Sequence, residues 1–381
     1  MMFRQLLAFV ALVVASVNGA ISREELESHS SKGLRLISLE EGADPVWVTE
    51  EEKLKLMIDD TNFFDVTEFY SPEEEAIKET SRRIPTESSV RYNPVARRAT
   101  IPELLAQVSQ SQSQAYMTQL TSYHTRYYRT ETGAASARWI RDTAAALATR
   151  FPASGASAAL FTNSFVQSSV IAKIPGSNPS APRVILGAHL DTINNGNPTG
   201  GRAPGADDDG SGCVNLLEAF RVLVTAGYKP TATVEFHWYG GEEAGLLGSQ
   251  AIARSYKSSN VPVKAMINFD MTATLKSGAR QIISLIPDYT NAALNQVIGR
   301  VVDTYLSVPW VLGDRCNYAC SDHAAWHNQG FPAAYAFESL DKDMSTVFHT
   351  TSDTATVTGF SWNHLLQFTR LAIAAAYELS V

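Results

Sequence analysis

Short apolar runs alternate with helical stretches over the second half of the chain. Strands are predicted at 183–188, 231–236, 265–269, 281–286 and 333–337. Helices are predicted at 214–225, 249–256, 294–306 and 362–377. Upstream, the pattern predicts three helices, at 101–110, 117–123 and 134–150, and one strand over 161–173. Strands that alternate with helices indicate a sheet that is covered on both faces.

Two adjacent glutamates, Glu242 and Glu243, follow the strand predicted at 231–236. Glycines flank them, in Gly240-Gly241-Glu242-Glu243-Ala244-Gly245. In open α/β sheets, ligands bind at the edge outside the carboxyl ends of the strands. A charged turn would also explain this stretch when it is considered alone, so the other strand ends decide between the two interpretations.

Acids and histidines also occur at other predicted strand ends and in two of the loops. They are His189 and Asp191, Asp207-Asp208-Asp209 in a glycine-rich loop, Asp270, and His349 in a late loop. Each has a structural alternative as a cap or a turn residue, but together they would place many carboxylates in one cleft, where like charges raise pKa values. A bound cation relieves this repulsion. Two histidines with carboxylates suit Zn²⁺ better than Mg²⁺ or Ca²⁺.

The N-terminal part of the chain differs from the remainder. Residues 1–19 combine Arg4, an apolar stretch and small residues, the pattern of a secretory signal peptide, so we expect a secreted, extracellular protein. Residues 20–88 form an acidic segment, in which 22–88 carry 18 Asp and Glu against 8 Lys and Arg. Apolar positions such as 54–58 argue against disorder. We expect a pro-segment that assists folding or blocks the cleft, followed by a catalytic domain at 89–381; a permanent N-terminal subdomain is the alternative.

Three cysteines are present in the chain. Cys316 and Cys320 are four residues apart, which in a secreted protein predicts a short disulfide. Two zinc thiolates are the alternative, although no second cysteine pair completes a structural zinc site. Cys213 is predicted to be a buried apolar residue.

Charge and hydropathy exclude some classes of partner. The net charge of −8 argues against nucleic acid. The chain has no internal run of eighteen apolar residues, so no membrane helix is predicted. We expect a monomer that does not bind membranes.

Five motifs of the chain resemble those of the di-zinc aminopeptidases of the M28 metallopeptidase family. They are His189-Leu190-Asp191, the stretch 205–212, the stretch 241–249, Asn268-Phe269-Asp270-Met271 and Phe348-His349-Thr350. The signal, the acidic segment and the 316–320 loop resemble the secreted fungal leucine aminopeptidases within that family. The motifs span 189–349, and the general resemblance covers about residues 90–381.

This resemblance implies a fold, a metal site and a reaction. The fold would be a three-layer α/β/α sandwich with a mixed, mainly parallel central sheet. Two zinc ions would be bound, one by His189 and Asp270, the other by Glu243 and His349, with Asp208 bridging both. Asp191 would orient the ring of His189. Glu242 would be the general base that activates a metal-bridging water.

The expected substrates are peptides with free N-termini. Met271 and Phe348 adjoin candidate ligands, and Tyr318 lies inside the cysteine loop. If these three residues line a pocket, it favours leucine or another bulky apolar residue, with broad tolerance. The alternative is that they belong to the core.

Three rival functions remain at this point. A glutaminyl cyclase-like relative would use one zinc ion, but the complete set of five ligands disfavours it. A carboxypeptidase would need a basic cluster near the motifs, and none is evident. A non-catalytic, zinc-stabilised binding module is disfavoured by the intact Glu242.

Overall fold

An eight-stranded sheet forms the centre of the protein, which is seen in a computed structural model that describes residues 21–72 and 91–381. Its strands are β4 Ser157–Phe161, β5 Ser169–Ile174, β6 Arg183–His189, β7 Val234–Tyr239, β8 Val263–Phe269, β9 Ile283–Leu285, β10 Trp310–Leu312 and β11 Ala333–Phe337. Their spatial order is β10-β9-β11-β8-β6-β7-β5-β4. The numbering begins at β4 because three strands of the N-terminal segment precede them in the chain.

The sheet is mixed, with three parallel pairs at the centre and a fourth at one edge. β6 pairs in parallel with β7 and with β8, β8 with β11, and β9 with β10. The pairs β4–β5, β5–β7 and β9–β11 are antiparallel. Because β6, β7, β8 and β11 run in the same direction, their carboxyl ends meet at one edge of the sheet.

Helices cover both faces of the sheet. One face carries Thr100–Leu105, Gln110–Ser122, Glu131–Arg150, Gly210–Thr225, Ala292–Tyr305 and Trp362–Ser380. The other carries Leu247–Ser258 and His323–Asn328. Val184, Ile185 and Leu186 of β6 are all fully buried, as expected for a strand covered on both sides. The predicted three-layer α/β/α sandwich is confirmed.

The single strand predicted over 161–173 is wrong. The chain instead forms β4 and β5, an antiparallel pair in which Phe161 lies opposite Ser169. Asn163 closes the connection, since its side-chain amide donates to the carbonyl of Gln167 and to the hydroxyl of Ser169. Alternation of polar and apolar residues continues through both strands, so the sequence pattern did not mark the turn between them.

The described N-terminal segment, residues 21–72, forms a small layer of its own. It contains helices Arg23–Ser31 and Glu50–Ile58 and an antiparallel sheet of β1 Arg35–Ser38, β2 Val46–Val48 and β3 Phe64–Asp65, in the order β2-β1-β3. Thr49 and Glu52 form a capping box at the start of the second helix. Asp65 is fully buried and accepts hydrogen bonds from Lys53 (2.6 Å) and Arg35 (2.8 Å).

This N-terminal segment packs against the loop that follows β7. The amide of Asp65 donates to the carbonyl of Gly245, and the Gln250 side chain donates to the carbonyls of both residues. Apolar residues of the segment are buried against the body, among them Ile37, Val48, Met57, Phe63 and Phe64. The segment therefore lies directly beside Glu242 and Glu243.

Some expectations about the N-terminus fall outside the described ranges. These are the signal peptide at 1–19 and the end of the acidic segment near 88. Within 21–72 and 91–381, none of the helices combines the length and apolarity that crossing a bilayer requires.

Candidate active site

The five candidate metal ligands lie together at the carboxyl edge of the central strands. His189 is the last residue of β6, and Asp270 directly follows β8. Glu243 lies in the loop after β7, and Asp208 lies just before the helix Gly210–Thr225. His349 comes from the loop after β11. Parallel strand direction thus collects side chains from five separate segments.

Asp208 lies between two groups of these residues. Its Oδ1 is 3.0 Å from Nε2 of His189, and its Oδ2 is 2.9 Å from Nε2 of His349. Nε2 of His189 is also 3.5 Å from Oδ1 of Asp270, and Nε2 of His349 is 2.9 Å from Oε2 of Glu243. The structure therefore brings together all five candidates in the two sets that the motif comparison implied.

The donor atoms fit a pair of metal ions. In each set, His189–Asp208–Asp270 and Asp208–Glu243–His349, one ligand atom per residue lies within 4.8 Å of the others. Oε1 of Glu243 is buried and has no hydrogen-bond partner among the described residues. An unpaired buried carboxylate oxygen is costly unless a cation or donor satisfies it. Imidazole with carboxylate is also a suitable donor set for zinc.

The electrostatics of the site favour a cation as well. Burial raises the pKa of Glu243 to about 7, with His349 opposing the shift. Burial also raises the pKa of Glu242 well above its ordinary value; His189 opposes this shift and the charge of Glu243 adds to it. For Asp208, burial is outweighed by His349 and His189, which lower its pKa. The carboxylates thus repel one another, and the two imidazoles oppose that repulsion.

Asp191 has a different contact from the one expected. Its Oδ1 lies 3.7 Å from Nδ1 of His189, which is too long for a hydrogen bond. Instead, Oδ1 accepts from the amide of Glu242 (3.0 Å) and Oδ2 from the amide of Glu243 (3.2 Å). In this structure, Asp191 therefore fixes the main chain that carries the two glutamates.

The neighbours of Asp208 fix two further loops, which the sequence argument missed. Asp209 accepts from the amide of His189 (3.0 Å) and caps the helix that begins at Gly210. Asp207 accepts from the amides of residues 272, 273 and 274, just after Asp270. The three consecutive aspartates thus point to three different partners. One aspartate is enough to cap a helix, so the presence of three in a row was the feature of the sequence that pointed to additional roles.

Two more supporting residues were not anticipated. Ser321 donates to Oδ2 of Asp270 at 2.5 Å. The fully buried guanidinium of Arg126 donates to the carbonyls of Leu190, Pro204 and Gly205, and so ties together the loops that follow His189 and precede Asp208. Both residues lie far from their partners in sequence, and no local pattern marks them.

A cavity of about 390 Å³ opens beside the candidate ligands. Met271 and Phe348 line it, and so do Ile286, Tyr335, Phe337, Met344 and both half-cystines. Cys316 and Cys320 form the predicted disulfide, which excludes the zinc-thiolate alternative. The buried thiol of Cys213 agrees with its expected apolar role.

Tyr318 is not among the residues that line this cavity, contrary to the expectation. Its hydroxyl lies 2.7 Å from the Ser38 hydroxyl of the N-terminal segment, and its ring packs edge-on against Phe64 and Tyr289. The 316–320 loop therefore turns Tyr318 away from the candidate ligands, while its two half-cystines face them.

The N-terminal segment also reaches into the cavity. Met57, Asp60, Thr61, Asn62 and Phe63 contribute to its wall. Oδ1 of Asp60 lies 3.1 Å from Nδ1 of His349, on the ring edge opposite Asp208 and Glu243. The cavity beside the candidate ligands is thus bounded partly by the body and partly by this segment.

Known proteins match this chain in sequence and in structure. Residues 169–376 match the model of peptidase family M28. Leucine aminopeptidase 1 of Blastomyces gilchristii is 41% identical over 358 residues, which cover 91% of this chain and 90% of the relative. Leucine aminopeptidase 1 of Arthroderma otae is 40% identical over 345 residues, covering 88% and 89%.

A solved structure has the same fold. The crystal structure of the Legionella pneumophila LapA aminopeptidase aligns with a TM-score of 0.79 and 27% identity, and it covers 92% of this chain and 96% of LapA. Residues 91–381 alone make up about three quarters of the chain, so the alignment also includes part of the chain before residue 91. The chain therefore belongs to peptidase family M28 and is a metal-dependent aminopeptidase, an enzyme that hydrolyses peptide bonds.

Proposed function

We propose that the protein is a zinc aminopeptidase that binds two zinc ions and removes leucine, or another bulky apolar residue, from the free N-terminus of peptides. The observation that carries the proposal is the position of Asp208, whose two carboxylate oxygens face two different histidines. His189 and Asp270 would complete one zinc site, and Glu243 and His349 the other. The relatives named leucine aminopeptidase support the choice of substrate.

Glu242 is the candidate general base. When bound, zinc lowers the pKa of a coordinated water towards about 7 and polarises a carbonyl group. Glu242 lines the cavity and adjoins Glu243, so its carboxylate can take a proton from water and pass it to the leaving amine. The amide contacts with Asp191 fix the backbone of both glutamates while their side chains act. Such a base contributes roughly 10²–10⁴ in rate.

The apolar part of the cavity is the candidate site for the N-terminal side chain. Met271 and Phe348 lie beside candidate ligands in the chain and share the cavity with Ile286 and Phe337. A wall of apolar atoms favours leucine through burial of its side chain. Each methylene changes discrimination by only ~1–3 kcal/mol, so other apolar residues would be accepted at lower rates.

The N-terminal segment is the candidate pro-segment. We propose that residues 1–19 direct secretion and that the acidic segment at 20–88 assists folding and blocks the cleft until it is removed. Burial of its apolar residues against the body supports the folding role. The position of Asp60 and Phe63 in the cavity wall supports the blocking role.

The test combines metal counting with substrate preference. The protein is purified, stripped of metal with a chelator and titrated with Zn²⁺ while the hydrolysis of leucine amide is followed. We expect full activity at two ions per chain. N-acetyl-leucine amide is the matched control, because blocking the free amine should abolish hydrolysis.

The same preparation tests the rivals. An N-terminal glutaminyl peptide would be cyclised rather than hydrolysed by a cyclase, and activity would then saturate at one zinc ion. A non-catalytic module would bind zinc without turnover. Either result would overturn the proposed function.

A further inference from the structure

Asp353 makes an unusual set of contacts next to the candidate metal centre. It lies four residues after His349 and is 1% exposed. Its Oδ1 accepts from the amide of Asp207 at 2.9 Å, and its Oδ2 accepts from the amide of Asp208 at 3.1 Å. Its main-chain carbonyl accepts from the amide of Ala206. One residue thus satisfies three successive amides of the loop that carries Asp208.

These contacts join two candidate ligands that are far apart in sequence. Asp208 and His349 lie on different loops, and Asp353 belongs to the second loop while it binds the first. The carbonyl of His349 in turn accepts from the amide of Asn195, which lies beyond His189. The loops that carry three candidate ligands are therefore tied to one another through the stretch 349–353.

The contacts of Asp353 match those of Asp191 on the other side of the site. Asp191 accepts from the consecutive amides of Glu242 and Glu243, and Asp353 accepts from the consecutive amides of Asp207 and Asp208. A carboxylate that receives two neighbouring amides fixes the orientation of the peptide plane between them. It therefore sets the direction in which the following side chain leaves the backbone.

We propose that Asp353 is a positioning residue that holds Asp208 in place to bind both metal ions. The inference rests on the two-zinc site proposed above. Asp208 must present one oxygen to each ion, so a small rotation of its backbone would misalign one oxygen with respect to its metal. Partners that orient ligands from outside the metal's own coordination typically change metal affinity or activity 10–100-fold when they are replaced.

The test replaces Asp353 by Asn in the full chain. Asparagine keeps the size of the side chain but can accept only one of the two amides, and its own NH₂ group faces the other. Glu218→Gln is the matched control, because Glu218 is also fully buried and accepts a main-chain amide, that of Ser109, while it makes no contact with a candidate ligand. Zn²⁺ affinity is measured by competition with a chelating dye, and the geometry of the site by the visible absorption of Co²⁺ bound in place of zinc.

We expect Asp353→Asn to weaken the binding of Zn²⁺ by 10–100-fold and to change the Co²⁺ spectrum. The kcat for leucine amide should fall while KM changes little, and excess Zn²⁺ should restore part of the activity. Glu218→Gln should keep the affinity, the spectrum and the kinetics of the unmodified protein. Asp353→Glu retains the carboxylate, so its affinity for Zn²⁺ and its kcat should lie between those of Asp353→Asn and the unmodified protein. It replaces Asp353→Asn in the test if that variant does not fold.

Two outcomes would overturn the proposal. The first is that Asp353→Asn binds Zn²⁺ as tightly as the unmodified protein, with the same Co²⁺ spectrum. The second is that Glu218→Gln loses affinity to the same extent, which would assign the effect to general loss of stability. Failure of the proposed function is distinguishable, because it appears in the unmodified protein as fewer than two zinc ions or no release of leucine.

Discussion

Oδ1 of Asp60 lies 3.1 Å from Nδ1 of His349, so a residue of the N-terminal segment contacts a candidate metal ligand from outside the site. The other ring nitrogen of His349 faces Asp208 and Glu243. Neighbouring residues of the segment also line the cavity, so residues 60–63 form part of its wall beside the candidate ligands.

Replacement of Asp60 by Asn should raise the activity of the full chain. The substitution removes the charge that faces His349, and a partly exposed ion pair of this kind is worth up to about 1 kcal/mol, or roughly fivefold in the occupancy of the blocked state. The measurement is the rate of leucine amide hydrolysis before any cleavage of the chain. Asp59→Asn is the control, because Asp59 is exposed and is not part of the cavity wall. A fall in activity would instead assign Asp60 the role of orienting the His349 ring.

The two adjacent glutamates should respond differently to the same substitution. Glu242→Gln removes the candidate base, so we expect about 10²–10⁴-fold lower kcat with both zinc ions retained. Glu243→Gln removes a candidate ligand, so we expect loss of one zinc ion. Metal content by atomic absorption and kcat for leucine amide are measured on both variants. Unchanged activity of Glu242→Gln would contradict the assigned roles.

Truncation of Phe348 should change the preference for the N-terminal residue. Phe348→Ala removes part of the apolar cavity wall, so kcat/KM should fall more for leucine amide than for alanine amide. The ratio of the kcat/KM for leucine amide to that for alanine amide should drop roughly 5–150-fold, which corresponds to about 1–3 kcal/mol of discrimination. Tyr318→Phe is a useful comparison, because Tyr318 points towards Ser38 and should leave the ratio unchanged. An equal loss for both substrates would show that Phe348 does not contact the side chain.

Acid should loosen the N-terminal segment. Burial would raise the pKa of Asp65, but Lys53 and Arg35 outweigh it and lower the pKa below its ordinary value. A lowered carboxyl pKa contributes stability above about pH 4, which is lost as the pH falls through the pKa of the folded protein. Burial lowers the pKa of Lys53, and Asp65 opposes that shift.

Hydrogen exchange measures this effect. Amides of β1 and β3 should lose protection below about pH 4, before those of β6 and β8. In Asp65→Asn the acid transition should vanish, and the segment should be less stable at neutral pH by about 3–5 kcal/mol, because Lys53 is left without its charged partner. Simultaneous loss of protection in both sheets would argue against a separately docked segment.

The sequence was sufficient for the architecture and for the candidate ligands. Acids and histidines at the ends of parallel strands meet at one edge, which grouped the stretches that hold them. The resemblance to the M28 family then selected His189, Asp208, Glu243, Asp270 and His349 within those stretches. Their supporting contacts could not be derived in this way. The expected bond from Asp191 to the His189 ring is replaced by bonds to two amides, because the position of the loop after β7 decides which donor lies nearer.

Contacts between distant parts of the chain were the least predictable. The direction of Tyr318 depends on Ser38 and Phe64, which belong to another layer of the fold. The approach of Asp60 to His349 depends on how residues 21–72 pack against Gly245. Neither the direction of Tyr318 nor the approach of Asp60 to His349 can be recognised from local periodicity or composition. The ends of strands, in contrast, can be recognised in this way.

The five candidate ligands come from five segments between residues 189 and 349, and none of the segments holds a complete metal set. A nascent chain that still lacks His349 therefore lacks one of the five candidate ligands. In a partly folded chain, the five side chains are not yet brought together. If these five side chains hold the metal, the centre is complete only once His349, which follows the last strand of the sheet, has joined the other four.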